Sequence, residues 1–231
     1  MPTLSIIIPV LDEAAVIADA LAALAPYRSR GAEIIVVDGG SRDATMDAAR
    51  PLADRVLSAP RGRGAQMNAG AATAQGDVLV FLHADTRLPP DADRLIFQGL
   101  ARSNRVWGRF DVTIAGRSVL LPVVAALMNL RSRLTGIATG DQAMFVTRAA
   151  FAQVRGFPDI ALMEDIVLSR RLKALSPPAC LSERVTTSGR RWDRDGVVRT
   201  ILKMWRLRLA FFLGAKPERL ARQYGYGVRD A

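Results

Sequence analysis

The chain is poor in the residues that staple or anchor small proteins. Its 231 residues hold a single cysteine, Cys180. One cysteine excludes an intramolecular disulfide and a cysteine-based zinc site, and it fits a reducing compartment. No run approaches the ~20 apolar residues that a membrane-spanning helix needs. The best stretch, Val119 to Leu130, is too short, contains Pro122 and reads as a buried or interfacial helix. The opening Met1-Pro2-Thr3 passes straight into the apolar run Leu4 to Ile8. It lacks the basic start and small-residue cleavage site of a secretory leader, so none is expected. Internal repeats, linkers and low-complexity segments are missing as well.

What is present is a half-apolar chain, long enough for one domain with a real core or for a core with a helical extension. The formal charge is +10. Residues 1 to 60 are near balance, while arginine and lysine dominate from Arg184 to Arg229. A basic surface of this kind suits nucleic acid, acidic lipid headgroups or a polyphosphorylated ligand.

The first half alternates two patterns. Ser5 to Val10, Glu33 to Asp38, Arg55 to Ser58 and Asp77 to Leu82 read as buried strands. Between them, Glu13 to Ala25 reads as a helix with Asp12 as its N-cap, Ala44 to Arg50 as one opened by Ser41 and Asp43, and Gly64 to Ala74 as a third. Strands joined by helices imply an α/β fold with a mostly parallel, right-handed crossover sheet. The second half is less regular. Val106 to Ala115 and Ala143 to Val146 suggest strands; Ser118 to Leu134, Asp165 to Leu175 and Val197 to Leu213 suggest helices. One domain over 1–231 is expected, with a ligand-binding half at 1–115 and a second half at 116–231 that ends in amphipathic helices.

In an open parallel sheet, ligands bind beyond the carboxyl ends of the strands. Four polar clusters fall there: Pro9 to Glu13, Asp38 to Asp43, Arg61 to Gly70 and His83 to Asp85. Asp38 either accepts hydrogen bonds from a ribose or base, or caps the Gly39-Gly40-Ser41 turn. The segment Arg61-Gly-Arg-Gly-Ala-Gln-Met-Asn-Ala-Gly70 joins mobile backbone, two guanidinium groups and a helix start, all of which favour phosphate oxygens. It is neither a Walker loop nor a Gly-x-Gly-x-x-Gly fingerprint. Asp85 is placed as a ligand for magnesium or manganese, or as a cap of the next element; His83, the only histidine, is a second metal candidate. Glu164-Asp165 opens a helix, where carboxylates commonly act as caps, although one of them could face a pocket as a general base.

Together these clusters resemble the family 2 glycosyltransferases with the GT-A, Rossmann-like fold. Ser5-Ile-Ile-Ile-Pro-Val-Leu-Asp-Glu13 is similar to the family's first strand and nucleotide loop, and Ile35 through Thr45 to its second strand. Gly64 through Asn68, Gly70, Gly76 and Asp77 follow the stretch before the metal strand, and His83-Ala-Asp85 stands at the Asp-x-Asp position. Glu164-Asp165 matches the Glu-Asp motif, whose aspartate is the usual base in inverting members. Phe81 to Pro89 resembles a bacterial subgroup associated with radical-SAM and selenoprotein-type domains. Two departures matter. His83 replaces the first metal aspartate, and Ser188-Gly-Arg-Arg-Trp192 lacks the glutamine of the processive Gln-x-x-Arg-Trp motif, which argues against a polysaccharide synthase.

The resemblance implies an inverting, metal-dependent hexosyl transfer from a UDP- or GDP-sugar to a hydroxyl acceptor, which could be lipid-linked. The donor would contact Pro9, Asp12, Glu13, Asp38, Gly39, Arg63, Asn68, Ala84, Arg191 and Trp192. Mn²⁺ or Mg²⁺ would sit at Asp85 and His83. Asp165 would act as base, with Glu164 beside it and Asp141 orienting the acceptor. A nucleotidyltransferase and a non-catalytic nucleotide- or membrane-binding module are the rivals; nucleic acid is not expected as a partner. A cytoplasmic location, peripheral on the inner membrane face, is expected because Val198, Ile201, Leu202, Trp205, Leu209 and Phe212 recur at helical spacing beside Arg199, Lys203 and Arg206. The same apolar face could instead pack on the core or on a second subunit.

Overall fold

Apolar runs punctuated by turn residues fold here into a sheet covered by helices on both faces. The computed structural model describes residues 2–225; residue 1 and residues 226–231 of the expected domain lie outside the described residues. The first half runs β1 (Leu4–Val10), α1 (Ile17–Ala22), α2 (Ala25–Ser29), β2 (Glu33–Asp38), α3 (Thr45–Ala49), β3 (Arg55–Ser58), α4 (Arg63–Thr73), β4 (Val78–Phe81), β5 (Thr86–Arg87), α5 (Ala92–Ser103) and β6 (Trp107–Ala115). Then follow α6 (Leu121–Thr135), a 3₁₀ turn (Gly140–Gln142), β7 (Met144–Thr147), α7 (Arg148–Gln153), α8 (Glu164–Lys173), β8 (Ala179–Ser188), α9 (Arg190–Asp195), α10 (Val197–Phe212) and α11 (Pro217–Tyr224).

The described strands form one sheet of order β3-β2-β1-β4-β7-β6-β8-β5. β1 pairs in parallel with β2 and β4, and β2 with β3. Successive residues of the central strands enter opposite cores: Ile6, Ile8, Ile34 and Val36 join one cluster, Ile7, Ile35 and Val37 the other. That period of two, buried on both sides, explains the unbroken apolar runs. The chain goes from β1 outward to β2 and β3, then returns to place β4 on the other side of β1. The pairing of β1 with β4 stops at Ile7, two residues before Pro9, while the pairing with β2 continues to Val10. A crevice therefore opens at the switch between β1 and β4, where ligands of such sheets bind.

The second half departs from the parallel expectation. β7 is antiparallel to β4 and β6, and β5 to β8, whereas β6 and β8 are parallel. Several elements give no clear sequence signal: β5, β8, α5, α7 and α9. The pairing of β6 with β8 jumps from Phe110–Leu181 to Asp111–Arg184, a bulge that destroys strict alternation in β8. The helix expected from Glu13 to Ala25 begins only at Ile17 and breaks between Ala22 and Ala25. Asp12 does not cap it. Its φ is 53°, and its Oδ1 accepts instead from the Arg42 backbone N–H at 2.8 Å.

Polar side chains lock α6 to the sheet. Asn129 accepts from Val112 N–H and donates back to its carbonyl, at 2.9 and 3.0 Å. The fully buried Arg109 bonds Ser132 Oγ at 3.1 Å, the Asn129 carbonyl and Asp111, and Asp111 also holds Arg133 at 2.8 Å. α10 packs its Leu207 with Met163 and Ile166, the residues on either side of the Glu164-Asp165 pair.

Candidate active site

The two loops beyond β1 and β2 are sewn into one platform. Asp12 N–H donates to Ser41 Oγ, Glu13 N–H to Thr45 Oγ1 and Ala14 N–H to Asp43 Oδ2, all within 3.1 Å. Asp38 is the clip of this platform rather than an open nucleoside ligand. Asp38 is 2 % exposed, and its carboxylate takes the Gly40 and Ser41 N–H groups at 2.9 and 3.0 Å and the Ser41 hydroxyl as well. Gly39 lies against Gln66, which donates to the Val10 and Val37 carbonyls at 2.8 Å; a Cβ at Gly39 would press on that amide at 3.0 Å.

α4 points its N-terminus at the crevice. Gly62 enters it with φ 140°, a region that side chains avoid, so the chain can turn directly into Arg63. The Arg63 charge is felt by Glu13, Asp141, Glu164 and Asp165, which makes it the hub of the site. Asn68 corrects an expectation. Both ends of its amide are used on the Phe157 backbone at 2.9 Å, so it is a clamp between α4 and the loop before α8, not a donor contact.

His83 and Asp85, past β4, part company. His83 Nδ1 lies 3.3 Å from Asp141 Oδ1, and its other nitrogen sits so close to Gly140 that a Cβ there would approach it to 2.5 Å. The ring thus leans on the 140–141 turn, with one nitrogen paired to Asp141. Asp85 instead shares a cation with Glu13: Arg190 Nη2 lies 3.6 Å from Asp85 Oδ2 and 3.7 Å from Glu13 Oε2. Arg190 is the site residue that the sequence reading misses, having picked its neighbours Arg191 and Trp192. Arg191 lies with its guanidinium 4.2 Å from the Tyr224 ring centre, and its charge reaches Asp141. Trp192 packs at the margin of the core, and Ala84 is buried, so Ala84 offers a ligand only backbone.

The carboxylates of the second half converge on a cavity of about 20 Å³ lined by Arg63, His83, Gly140, Glu164 and Asp165 with Met67, Phe81, Met144 and Phe157. Asp165 Oδ2 accepts from Gly140 N–H at 3.0 Å and Oδ1 from Ile166 N–H at 2.7 Å. Burial raises the Asp165 carboxyl above its usual range; these two N–H bonds oppose the rise and the Asp141 charge adds to it. Burial, with Asp165 beside it, pushes Glu164 up to about 7. Burial also pushes Asp141 upward, but the His83 hydrogen bond and the charges of His83, Arg63 and Arg191 outweigh it, and Asp141 ends below the usual range. Two raised carboxyls, Glu164 and Asp165, thus line the cavity, with the lowered Asp141 next to it in the 140–141 turn, an arrangement typical of acid–base sites. A larger groove of about 550 Å³ lies at the other end of β4, lined by residues such as Asp77, Phe97 and Arg148, far from this chemistry.

Comparison with known proteins agrees with this geometry. The profile of the family described as "Glycosyl transferase family 2" matches residues 5–152. The chain belongs to glycosyl transferase family 2. It is 27 % identical over 196 residues to the probable glycosyltransferase YdaM of Bacillus subtilis, covering 74 % of this chain and 47 % of that one. It is 30 % identical over 160 residues to the undecaprenyl-phosphate 4-deoxy-4-formamido-L-arabinose transferase of Pseudomonas syringae, covering 59 % and 44 %. The chain thus spans less than half the length of these curated relatives. Among solved structures, the mannosyltransferase PcManGT of Pyrobaculum calidifontis, in complex with GDP-mannose and Mn²⁺, superposes with TM-score 0.65 at 22 % identity, covering 97 % of this chain and 69 % of that one. TarS of S. aureus superposes with TM-score 0.66 at 17 % identity, covering 81 % and 60 %. Both establish the GT-A fold.

Proposed function

We propose that this family 2 member is an inverting glycosyltransferase that moves a sugar from a UDP- or GDP-sugar to a hydroxyl acceptor, which a lipid carries. The observation that carries this reading is the cavity in which Asp165, raised by burial and fixed by Gly140 N–H, meets Arg63. A base for a hydroxyl must accept a proton near neutral pH, and a raised carboxyl does so better than an ordinary one. In the proposed step the acceptor oxygen attacks the anomeric carbon, its proton passes to Asp165, and the bond to the diphosphate breaks. The nucleoside lies on the platform around Asp12 and Asp38, which positions rather than grips it. Arg63 and the N-terminus of α4 stabilise the diphosphate. Asp141, held ionised by His83, orients the acceptor.

A divalent cation fits this site. Glu13 and Asp85 already converge on one cationic group, the Arg190 guanidinium, and among the described residues no cluster of three or more ligating side chains holds a metal unaided. Asp85, with Glu13 near it, would hold Mn²⁺ or Mg²⁺ and leave the remaining positions to diphosphate oxygens and water. The ion would offset charge on the leaving group. The names of two relatives support the donor and the acceptor: PcManGT is bound to GDP-mannose with Mn²⁺, and the P. syringae protein is an undecaprenyl-phosphate transferase. A cytoplasmic setting and the radical-SAM-associated subgroup remain part of this reading, resting on Cys180 and on Phe81 to Pro89.

The deciding measurement is the product formed from UDP- and GDP-sugars with Mn²⁺. Release of the nucleoside diphosphate is expected. Pyrophosphate released from a nucleoside triphosphate would make the chain a nucleotidyltransferase, and ligand binding with no product would make it a binding module.

A further inference from the structure

Two helices of the second half carry apolar residues on their outer side as well as their inner one. α6 buries Asn129 and Ser132 against β6, yet exposes Leu120 at its N-cap and Val123, Leu127, Leu130 and Leu134 along its outer side. α10 buries Thr200 and exposes Val198, Leu202, Trp205, Leu209 and Phe212, each with more than half of its surface open. The spacing is helical in both, so each outer side is a continuous apolar stripe. A single exposed leucine needs no explanation, but two stripes on neighbouring helices mark a docking surface. Contacts tie the two helices together. Arg117 N–H, just before α6, bonds Asp193 at 3.0 Å, just before α10, and Ile137, just after α6, packs in the same small cluster as Leu207 of α10.

We propose that these stripes form one face that docks on an anionic bilayer surface. The charge of the helices selects that occupant. Residues 121–135 and 197–212 carry Arg131, Arg133, Arg199, Lys203, Arg206 and Arg208 and no acidic residue. Of these, Arg199 and Arg206 stand exposed beside the α10 stripe; a second copy docked face to face would bring them together, which costs energy, whereas lipid phosphates neutralise them. Trp205, 68 % exposed, is of the type that settles at the headgroup boundary. Neither helix is long and apolar enough to cross a bilayer, so the face lies on the membrane rather than through it. The placement deepens the proposed function and rests on it in one respect. α10 packs on Met163 and Ile166, so a bilayer beneath this face would lie beside the element that presents Asp165 to a lipid-carried acceptor.

Flotation with vesicles of phosphatidylglycerol and phosphatidylcholine, without donor or acceptor, tests the face apart from catalysis. Binding to these vesicles is expected, at least tenfold weaker to pure phosphatidylcholine and several-fold weaker when salt rises from 50 to 300 mM. The double variant Leu127→Glu, Trp205→Glu changes exposed positions only, so its melting temperature should hold while vesicle binding falls at least tenfold. No flotation, flotation indifferent to lipid charge, or flotation unchanged in the double variant would overturn the proposal. So would a dimer of the wild-type chain that the same variant dissociates, since a second copy would then be the occupant. Flotation without transfer to any lipid acceptor would keep this face and sink the acceptor assignment instead.

Discussion

The halves on either side of Ala115 solve opposite problems. The first is a parallel sheet with its apolar residues inside and its polar loops gathered at one end, so that its ligand surface is made of backbone turns clipped by Asp38, Asp43 and Ser41. The second buries the charged Arg109, Asp111 and Glu164, while leaving leucines in solvent. On the proposed reading the first half is a platform that holds a ligand, and the second carries the acid–base chemistry and the docking face. If that division is right, changes in the second half should affect turnover and pH response while leaving nucleotide binding alone.

The largest expected effect is at Asp165. Asp165→Asn keeps the shape and the Gly140 contact but removes basicity, so turnover should fall roughly 10²- to 10⁴-fold. Thermal stabilisation by UDP or GDP with Mn²⁺ should survive. Near-normal transfer by this variant would remove Asp165 as base and pass the role to Glu164 or Asp141. Next comes the buried network. Asp111→Ala leaves the Arg109 guanidinium buried without its carboxylate, and losing one partner of such a pair costs about 3–5 kcal/mol. Chemical denaturation checks the value. A loss below about 1 kcal/mol would show that Arg109 finds solvent or another partner.

Much of the first half could be read from the sequence because one physical cause wrote both its pattern and its structure. Strands buried on two faces must be apolar runs, and turns at their ends must hold Gly, Asp and Ser. The reading weakened where a residue serves two masters. Asp38 and Asn68 sit at ligand-like positions, but their hydrogen bonds go to neighbouring backbone, and sequence cannot say which partner wins. His83 stands in a metal motif yet faces Asp141, 58 positions away in the chain. β8 escaped notice because its bulge and the exposed Ser-Glu-Arg stretch break alternation. Arg190 could have been found: it lies in the basic Arg190-Arg191-Trp192 run, whose two other members the sequence reading singles out.

A third test uses pH. Glu164 is raised from 4.5 to about 7 by burial and by Asp165, so the folded state holds this proton more tightly than the unfolded chain. Its contribution to stability is fully present below pH 4.5 and is lost as pH rises through 7. Asp141, depressed, works in the opposite sense and loses its contribution on acidification. Glu164→Gln should therefore stabilise the ligand-free protein near pH 8, by up to about 3 kcal/mol at 1.36 kcal/mol per unit, and change little near pH 4. Melting temperatures across pH 4–8 measure it. An unchanged pH profile would mean that Glu164 is solvated and ordinary.

The smallest effect probes the hinge between the halves. Arg190 reaches from α9 to Glu13 and Asp85, so in the ligand-free protein a second-half guanidinium occupies the position proposed for the metal. Its side chain is 58 % exposed, and exposed ion pairs contribute about 0–1 kcal/mol, so Arg190→Gln should scarcely move the melting temperature. The metal should feel it more. A unit charge about 4 Å away is worth about 1 kcal/mol in a water-like medium, and more where water is partly excluded. Without nucleotide, Mn²⁺ should then bind Arg190→Gln about three- to tenfold more tightly than the wild type, by titration calorimetry. With UDP or GDP present the gain should shrink, because the released guanidinium of the wild type can then pair with the diphosphate. Equal Mn²⁺ affinity in both proteins would show that the cation binds away from Asp85 and Glu13, and would move the metal site out of the crevice.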